Sequence, residues 1–244
     1  MYPLISPLGD RAVRLTFGNR LTEKANDSVQ AAYFRLNHSE LPYISEMVPG
    51  YVTLTVYYDP LKVPAYNKML HQLKNAAKAG QPLENDFSQK RHLILPVYYG
   101  GNKGPDLEEV ARWNSLETEE VIKRHTRATY RVYMMGFAPG FPYLGELDET
   151  LATPRRKTPR KKVPSGSVGI AGPQTGVYSV DSPGGWQIIG HTPVRLFDAG
   201  KEEPVLIKAG DLISFKSVNE QEYEDIFHEC EKGIYRPSIE SKEE

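Results

Sequence analysis

The residues able to do chemistry in this chain cluster in three short segments of its second half. One, Pro154 to Gly172, is PRRKTPRKKVPSGSVGIAG: Arg155, Arg156, Lys157, Arg160, Lys161 and Lys162 put six positive charges within eight residues, and a glycine-rich turn with Ser165, Gly166 and Ser167 follows. Guanidinium groups grip a carboxylate or phosphate through paired donors, and backbone N–H groups left open near glycines add to that grip. Arg155 and Arg160 each follow a proline, which stiffens the backbone presenting them, so these two are the candidate anion ligands. Lys157, Lys161 and Lys162 read as solvated surface, and a self-repelling solvated loop is the alternative for the whole run.

The second segment, SPGGWQIIGHTP from Ser182 to Pro193, presents Trp186 from a tight turn just before a strand. Trp186 reads as a core or rim anchor, with a ligand platform as the alternative. His191 leaves that strand at a glycine, before Thr192 and Pro193; a neutral imidazole there can act as a general base or hold a substrate oxygen, against a purely structural role. The third segment, GFAPGFPYLG from Gly136 to Gly145, sets Phe137, Phe141 and Tyr143 among backbone-fixing residues such as Pro139. A rigid loop of this kind loses little entropy on binding. It suits one wall of a cleft or a protein-docking surface, or it simply plugs the end of a barrel. His125 closes a helix and is expected to complement its C-terminal dipole.

Several chemistries are excluded or disfavoured. The sequence has no GxxxxGK[ST], no GxGxxG opening a helix, no HExxH and no GxSxG. Cys230 is the single cysteine, which rules out an internal disulfide and a multi-cysteine zinc site, and no metal ligand set is expected. A net charge of -1 with 25% charged residues gives no bias toward nucleic acid or anionic membrane. With no signal-peptide pattern and no long apolar run, the chain is expected to be cytoplasmic.

Two differently written halves must position these segments, and an α+β protein is expected. In the first, Arg11 to Phe17 alternates as a half-buried strand, Thr22 to Asn37 carries a helical apolar stripe, and Ile44 to Val48 with Val52 to Tyr58 forms a hairpin about Pro49-Gly50. Pro64 to Ala79 predicts a second helix and His92 to Tyr98 a strand that could belong to either half. The β-α-β-β-α-β order is that of a ferredoxin-like domain, with the boundary placed near Ser88 and the N-terminal domain at residues 1–88. Polar residues 80–91 are the expected linker. The second half, residues 89–233, opens with helices at Asp106 to Trp113 and Thr118 to His125. Short strands follow at Tyr130 to Met134, Gly166 to Ala171, Gly176 to Val180, Gln187 to Gly190, Val205 to Lys208 and Asp211 to Phe215, a spacing that predicts a β-barrel. Residues 234–244 read as a mobile polar tail.

GFAPGFPYLG, the stretch LATPRRKTPRKKVPSGSVGIAGPQTGVYSVDSPGGWQIIGHTP and the closing KAGDLISF together resemble the family of bacterial 5-oxoprolinase B subunits. That family also includes the sporulation-kinase inhibitor KipI and was long labelled allophanate hydrolase subunit 1. GDRAVRLTFG, VPGYVTLTVYYDP and LPVYYGGNKGPDLEEVA extend the resemblance over nearly the whole chain. It implies a small α/β N-terminal domain joined to a cyclophilin-like β-barrel, and a subunit of an enzyme that opens 5-oxoproline to L-glutamate. It also implies ATP with Mg²⁺, bound only in the complex, and the 5-oxoprolinase subunits C and A as partners. The other activity in the family implies a regulatory module that docks on a histidine kinase; prolyl isomerase activity rests on fold analogy alone.

Carried onto this sequence, the resemblance makes His191, Arg160 and Gln174 the expected catalytic set, with Arg155, Gly166, Ser167, Thr175 and Tyr178 holding substrate or anion. Phe137, Pro139, Phe141, Tyr143 and Trp186 form the expected apolar wall or docking loop. At His191 the family commonly has arginine, which favours hydrogen bonding or anion contact there over proton transfer.

Overall fold

The computed structural model describes residues 3–78, 90–145 and 147–242, and the chain divides into two units, Met1–Ser88 and Gln89–Glu244. In the first, β1 (Leu4–Pro7) and β2 (Ala12–Thr16) form a hairpin, and α1 (Glu23–Asn37) follows. β3 (Ile44–Pro49), β4 (Thr53–Tyr58) and α2 (Tyr66–Lys78) complete it. Val13 and Leu15 alternate inward from β2, and Leu54, Val56 and Tyr58 from β4; Val29, Ala32 and Leu36 of α1 and Met69, Leu73 and Ala77 of α2 close the core over them. The Thr22 hydroxyl starts α1 by accepting the Ala25 N–H at 3.2 Å.

The sheet order is β1-β2-β4-β3, antiparallel throughout. This corrects the ferredoxin-like expectation. The strand expected to close that pattern, His92 to Tyr98, belongs to the second unit, and the edge beside β2 is taken by β1, which precedes it in the chain. Leu4–Pro7 is too short and too exposed to show a strand signal in sequence. Of the expected linker, residues 80–91, all but the last two lie outside the described residues.

The second unit is organised on β5 (Lys90–Tyr99), followed by α3 (Leu107–Trp113), α4 (Thr118–Arg127), β6 (Thr129–Met135) and β7 (Pro142–Leu144). Next come β8 (Arg160–Val163), β9 (Ser167–Ala171), β10 (Gln174–Val177), β11 (Ser182–Gly184) and β12 (Gln187–His191). The chain ends with β13 (Leu212–Ser217), α5 (Glu220–Glu231) and β14 (Ser238–Lys242). Strands run in the order β12-β9-β10-β7-β6-β13-β5, and a β12–β5 pairing shuts the ring, so among the described residues seven strands form a closed barrel. β13 lies parallel to β5 while the other pairings are antiparallel. Leu93, Leu95, Val97, Val132, Val168, Ile170, Val177, Ile189, Ile213 and Phe215 fill the interior with α3 and α4 packed against it. A separate ribbon, β8 with β11, stands beside the ring.

Three expectations change here. Val205 to Lys208 is no strand; it contributes an isolated bridge from Val205 to Phe197. The tail expected to be mobile forms β14, which pairs with residues Lys90 to Ile94 of β5. α5 had no predicted counterpart, although its Asn219–Glu222 capping box, with both reciprocal hydrogen bonds made, is legible in sequence. Among the described residues no helix is long and apolar enough to cross a membrane.

Candidate functional site

The loop GGNKGPD, residues 100–106, carries the chain from β5 to α3 along the edge of β12. Gly100 N–H donates to the Ile189 carbonyl at 3.0 Å and Asp106 N–H to the Ile188 carbonyl at 2.8 Å. The approach is so close that a Cβ at Gly104 would stand 2.1 Å from the Ile189 oxygen, so only glycine fits. The loop thereby buries Asp106 to 3% exposure. A carboxylate so placed requires compensation. Its Oδ2 accepts the Ile188 N–H at 2.6 Å, and its Oδ1 accepts Arg160 Nη2 at 2.8 Å and Arg156 Nη1 at 2.9 Å. The basic run therefore divides: Arg160 and Arg156 are held by an acid 50 or more residues away, while Arg155, the other proline-flanked candidate, is exposed.

On one side of this triad is a cavity of about 290 Å³ lined by Asn102, Lys103, Pro105, Arg160, Val163, Pro164, Ser167, Ile188 and His191. Three residues expected from sequence, Arg160, Ser167 and His191, thus meet at one place. Lys103, partly buried, lies over the Tyr223 ring at 4.7 Å and makes no ion pair among the described residues. Arg160 Nη1 is buried without a hydrogen-bond partner. No carboxylate lines this cavity, so the Lys103 charge faces it uncompensated.

His191 ends β12 with both ring nitrogens engaged. Nε2 lies 2.7 Å from the Ser165 carbonyl, which only accepts, so Nε2 carries the proton, and Nδ1 accepts the Tyr223 hydroxyl at 2.8 Å. Burial pushes its pKa down to about 4, with the Lys103 charge adding to the effect and the Ser165 carbonyl opposing it. As arranged, His191 is a neutral donor with no nitrogen free to take a proton. Gly166 is its seat: at φ +87°, a Cβ there would fall 2.5 Å from His191 Cε1.

The remaining expected residues lie elsewhere. Thr175 is inside the barrel, donating to the Gly169 carbonyl at 3.0 Å and accepting from His125 Nε2 at 2.9 Å, and does not reach the cavity. Gln174 opens β10 opposite Ala171. Tyr178 and Trp186 are buried with Phe141 in an aromatic cluster, Tyr143 packed against it. The Phe141 ring meets Tyr178 and Trp186 edge-on at 5.4 and 5.6 Å. Phe137 caps this cluster from outside, its ring edge-on to Phe141 at 5.3 Å and to Tyr178 at 6.4 Å, yet it is 62% exposed at φ 65°, with Pro139 beside it also exposed. The dipole-capping expectation for His125 is corrected: it is fully buried, its pKa is pushed down to about 3 by burial, and it bonds to Tyr99 and Thr175.

Sequence reasoning missed Asp106, Lys103 and Tyr223. Paired glycines, a lysine and a helix-leading aspartate between a strand and a helix were the signal for the first two; nothing local marks Tyr223. Among the described residues no three metal-ligating side chains gather.

Residues 3–207 match the family model for the carboxyltransferase domain, subdomain C and D. The B subunit of 5-oxoprolinase from Bacillus subtilis (strain 168) is 42% identical over 228 residues, which cover 90% of this chain and 94% of that protein. A solved structure of TTHA0988 is 35% identical with a TM-score of 0.73 over 86% of this chain, and the chain spans 40% of that longer protein. The K. lactis urea amidolyase shares the fold, with a TM-score of 0.79 at 20% identity, over 98% of this chain and 16% of that one.

Proposed function

The chain belongs to the family of 5-oxoprolinase B subunits, and from that premise we propose that it serves as the B subunit of a multi-subunit, ATP-dependent enzyme that opens 5-oxoproline to L-glutamate. The observation that carries the reading to particular residues is the cavity in which Lys103 and Arg160 meet Ser167 and His191 with no carboxylate among them. 5-Oxoproline is a compact lactam bearing one carboxylate, and such a cavity suits it. The Lys103 ammonium and the unpartnered Arg160 Nη1 hold the carboxylate by charge-assisted hydrogen bonds. Ser167 and Asn102 supply neutral polar contacts to the lactam, and His191, neutral above about pH 4, shapes the wall and keeps the adjacent Ser165 carbonyl in place.

An unactivated lactam resists attack by water, and ATP, with Mg²⁺, would supply a phosphoryl group to the lactam oxygen that opens the carbonyl carbon to water. The ring C–N bond can then break, with the nitrogen leaving as the amine of glutamate and phosphate released by hydrolysis. This chain's own residues bind and orient the acid. Asp106 acts through others: it fixes Arg160 and Arg156, so neither guanidinium has to be ordered when substrate arrives. Phe137, exposed on a backbone-fixed loop, is assigned to contact with subunits C and A rather than to the cavity. Docking on a histidine kinase through the same loop has no separate observation in its favour.

The test is 5-oxoproline-dependent ATP hydrolysis and glutamate release by this chain mixed with subunits A and C, each omitted in turn. Activity that disappears without this chain, and falls at least tenfold with Arg160→Ala in an assembled complex, is the expected result. A fully assembled mixture without activity overturns the reading.

A further inference from the structure

The Asp106 triad has a second side. There a larger cavity, about 660 Å³, is lined by Trp113, Arg155, Arg156, Lys157, Thr158 and Gln187 among others. It shares Pro105 with the smaller one, and Asp106 Oδ1 ties Arg156 of this cavity to Arg160 of the other.

Two buried groups on its wall have unspent hydrogen-bonding capacity. Gln187 is 7% exposed; its Nε2 donates to the Pro154 carbonyl at 2.9 Å, which fixes the orientation of the amide, and its Oε1 has no partner. Arg156 Nε is likewise buried and unpartnered. An unsatisfied buried polar atom is costly, so a ligand that completes it is favoured. Trp113, at the end of α3, leaves 59% of its surface uncovered. Arg155 and Lys157 are exposed and have no ion-pair partner among the described residues, while on the acidic side Glu109 is already taken by Arg112.

An uncovered indole, a fixed carbonyl acceptor and unpaired cations call for a flat ring with an exocyclic amine joined to an anionic tail. We propose that this cavity binds an adenine nucleoside di- or triphosphate. The ring lies against Trp113, its amine donates to Gln187 Oε1, and the phosphates are held by Arg155, Lys157 and Arg156 Nε. Glu108, on the same wall, repels the phosphates, and a divalent cation accompanying the tail offsets that repulsion. The use of that nucleotide rests on the 5-oxoprolinase reading; the binding site does not.

The chain has two tryptophans, Trp113 and Trp186, and the second is only 5% exposed, so fluorescence quenching reports on Trp113. The full chain, alone and mixed with subunits A and C, is titrated with ADP, a non-hydrolysable ATP analogue and its inosine counterpart, each with Mg²⁺, and with tripolyphosphate. Expected are a saturable quench that Trp113→Phe abolishes, an inosine analogue binding about tenfold more weakly for want of the amine, and a loss of that discrimination in Gln187→Met. Arg155→Ala and Lys157→Ala, both at exposed positions that folding does not need, each raise Kd about tenfold for charged contacts of this kind. The site is overturned if the nucleotides leave the fluorescence unchanged with and without the partner subunits, or if the quench survives Trp113→Phe. It is overturned equally if tripolyphosphate saturates the signal at the same concentration, which marks a generic anion patch. Nucleotide binding in a mixture that does not consume 5-oxoproline leaves this inference standing and removes the enzymatic reading.

Discussion

Two histidines, one sealed inside the barrel and one at its rim, are held by the same chemistry. His125 donates Nε2–H to Thr175 Oγ1 and accepts the Tyr99 hydroxyl on Nδ1 at 2.7 Å; His191 donates Nε2–H to the Ser165 carbonyl and accepts the Tyr223 hydroxyl on Nδ1 at 2.8 Å. Burial holds both neutral, with pKa values of about 3 and about 4. They differ in what faces them. His125 has Phe215 stacked on it at 4.6 Å and no access to solvent, whereas His191 borders a cavity with Lys103 and Arg160. A strongly shifted pKa thus marks burial in both places and a site in one, and the unspent cationic donors make the difference.

The largest expected effect separates the pair by activity rather than by stability. His125→Phe leaves the Tyr99 hydroxyl buried without a partner and should cost about 3 kcal/mol in chemical denaturation, with activity per folded complex unchanged. His191→Phe should cost a similar amount, because Tyr223 is only 1% exposed and its hydroxyl is left just as bare, and should in addition lower the activity of the folded complex, since His191 borders the cavity. Equal activity per folded complex in the two variants would erase the distinction. Next, Lys103→Met should raise KM for 5-oxoproline about thirtyfold, the equivalent of ~2 kcal/mol for one charged hydrogen bond, and leave kcat and stability nearly unchanged. A fall in kcat at constant KM would move Lys103 from substrate binding to the chemical step.

Acid should act on both histidines through the same linkage. Below about pH 6.5 the unfolded chain protonates them while the folded chain does not, so the stability they carry is complete above that pH and falls as pH drops toward about 4 for His191 and about 3 for His125. Each contributes a slope of about 1.4 kcal/mol per pH unit within its window. His125→Phe should remove one such slope between pH 6 and 4, measured as denaturation midpoints against wild type. An unchanged slope would mean that His125 is already solvated and charged in that range.

The rim was more legible in the sequence than the arrangement that makes it work. Arg160, Ser167 and His191 stood out because prolines and glycines bracket them, and local backbone chemistry is what a sequence displays. Asp106 did not, because its meaning lies in Ile188, Arg156 and Arg160, all far along the chain. Thr175 illustrates the opposite error: a motif residue whose hydroxyl serves the interior. For the fold, periodicity found α1, α2 and most barrel strands, since burial on one face imposes it. It could not say that His92 to Tyr98 pairs with β13 and β12 rather than with the first sheet, nor that a polar tail would add a strand to β5, because backbone pairing leaves little trace in side chains that face solvent.

The smallest effect probes a residue that belongs to neither the core nor the cavity. Phe137 adopts φ 65°, a left-handed conformation that costs a residue with a Cβ about 1 kcal/mol, and its ring, 62% exposed, meets Phe141 edge-on at 5.3 Å. Two substitutions separate backbone from ring. Phe137→Ala removes the ring and keeps the strain, while Phe137→Gly removes both, so the glycine variant should be about 1 kcal/mol the more stable. If the ring serves docking, both variants should weaken assembly with subunits A and C to the same extent, measured by titrating complex formation, although their stabilities differ. If assembly instead follows stability, or does not change, the ring is only a lid over Phe141 and Tyr178, and the strain beneath it answers to packing rather than to a partner.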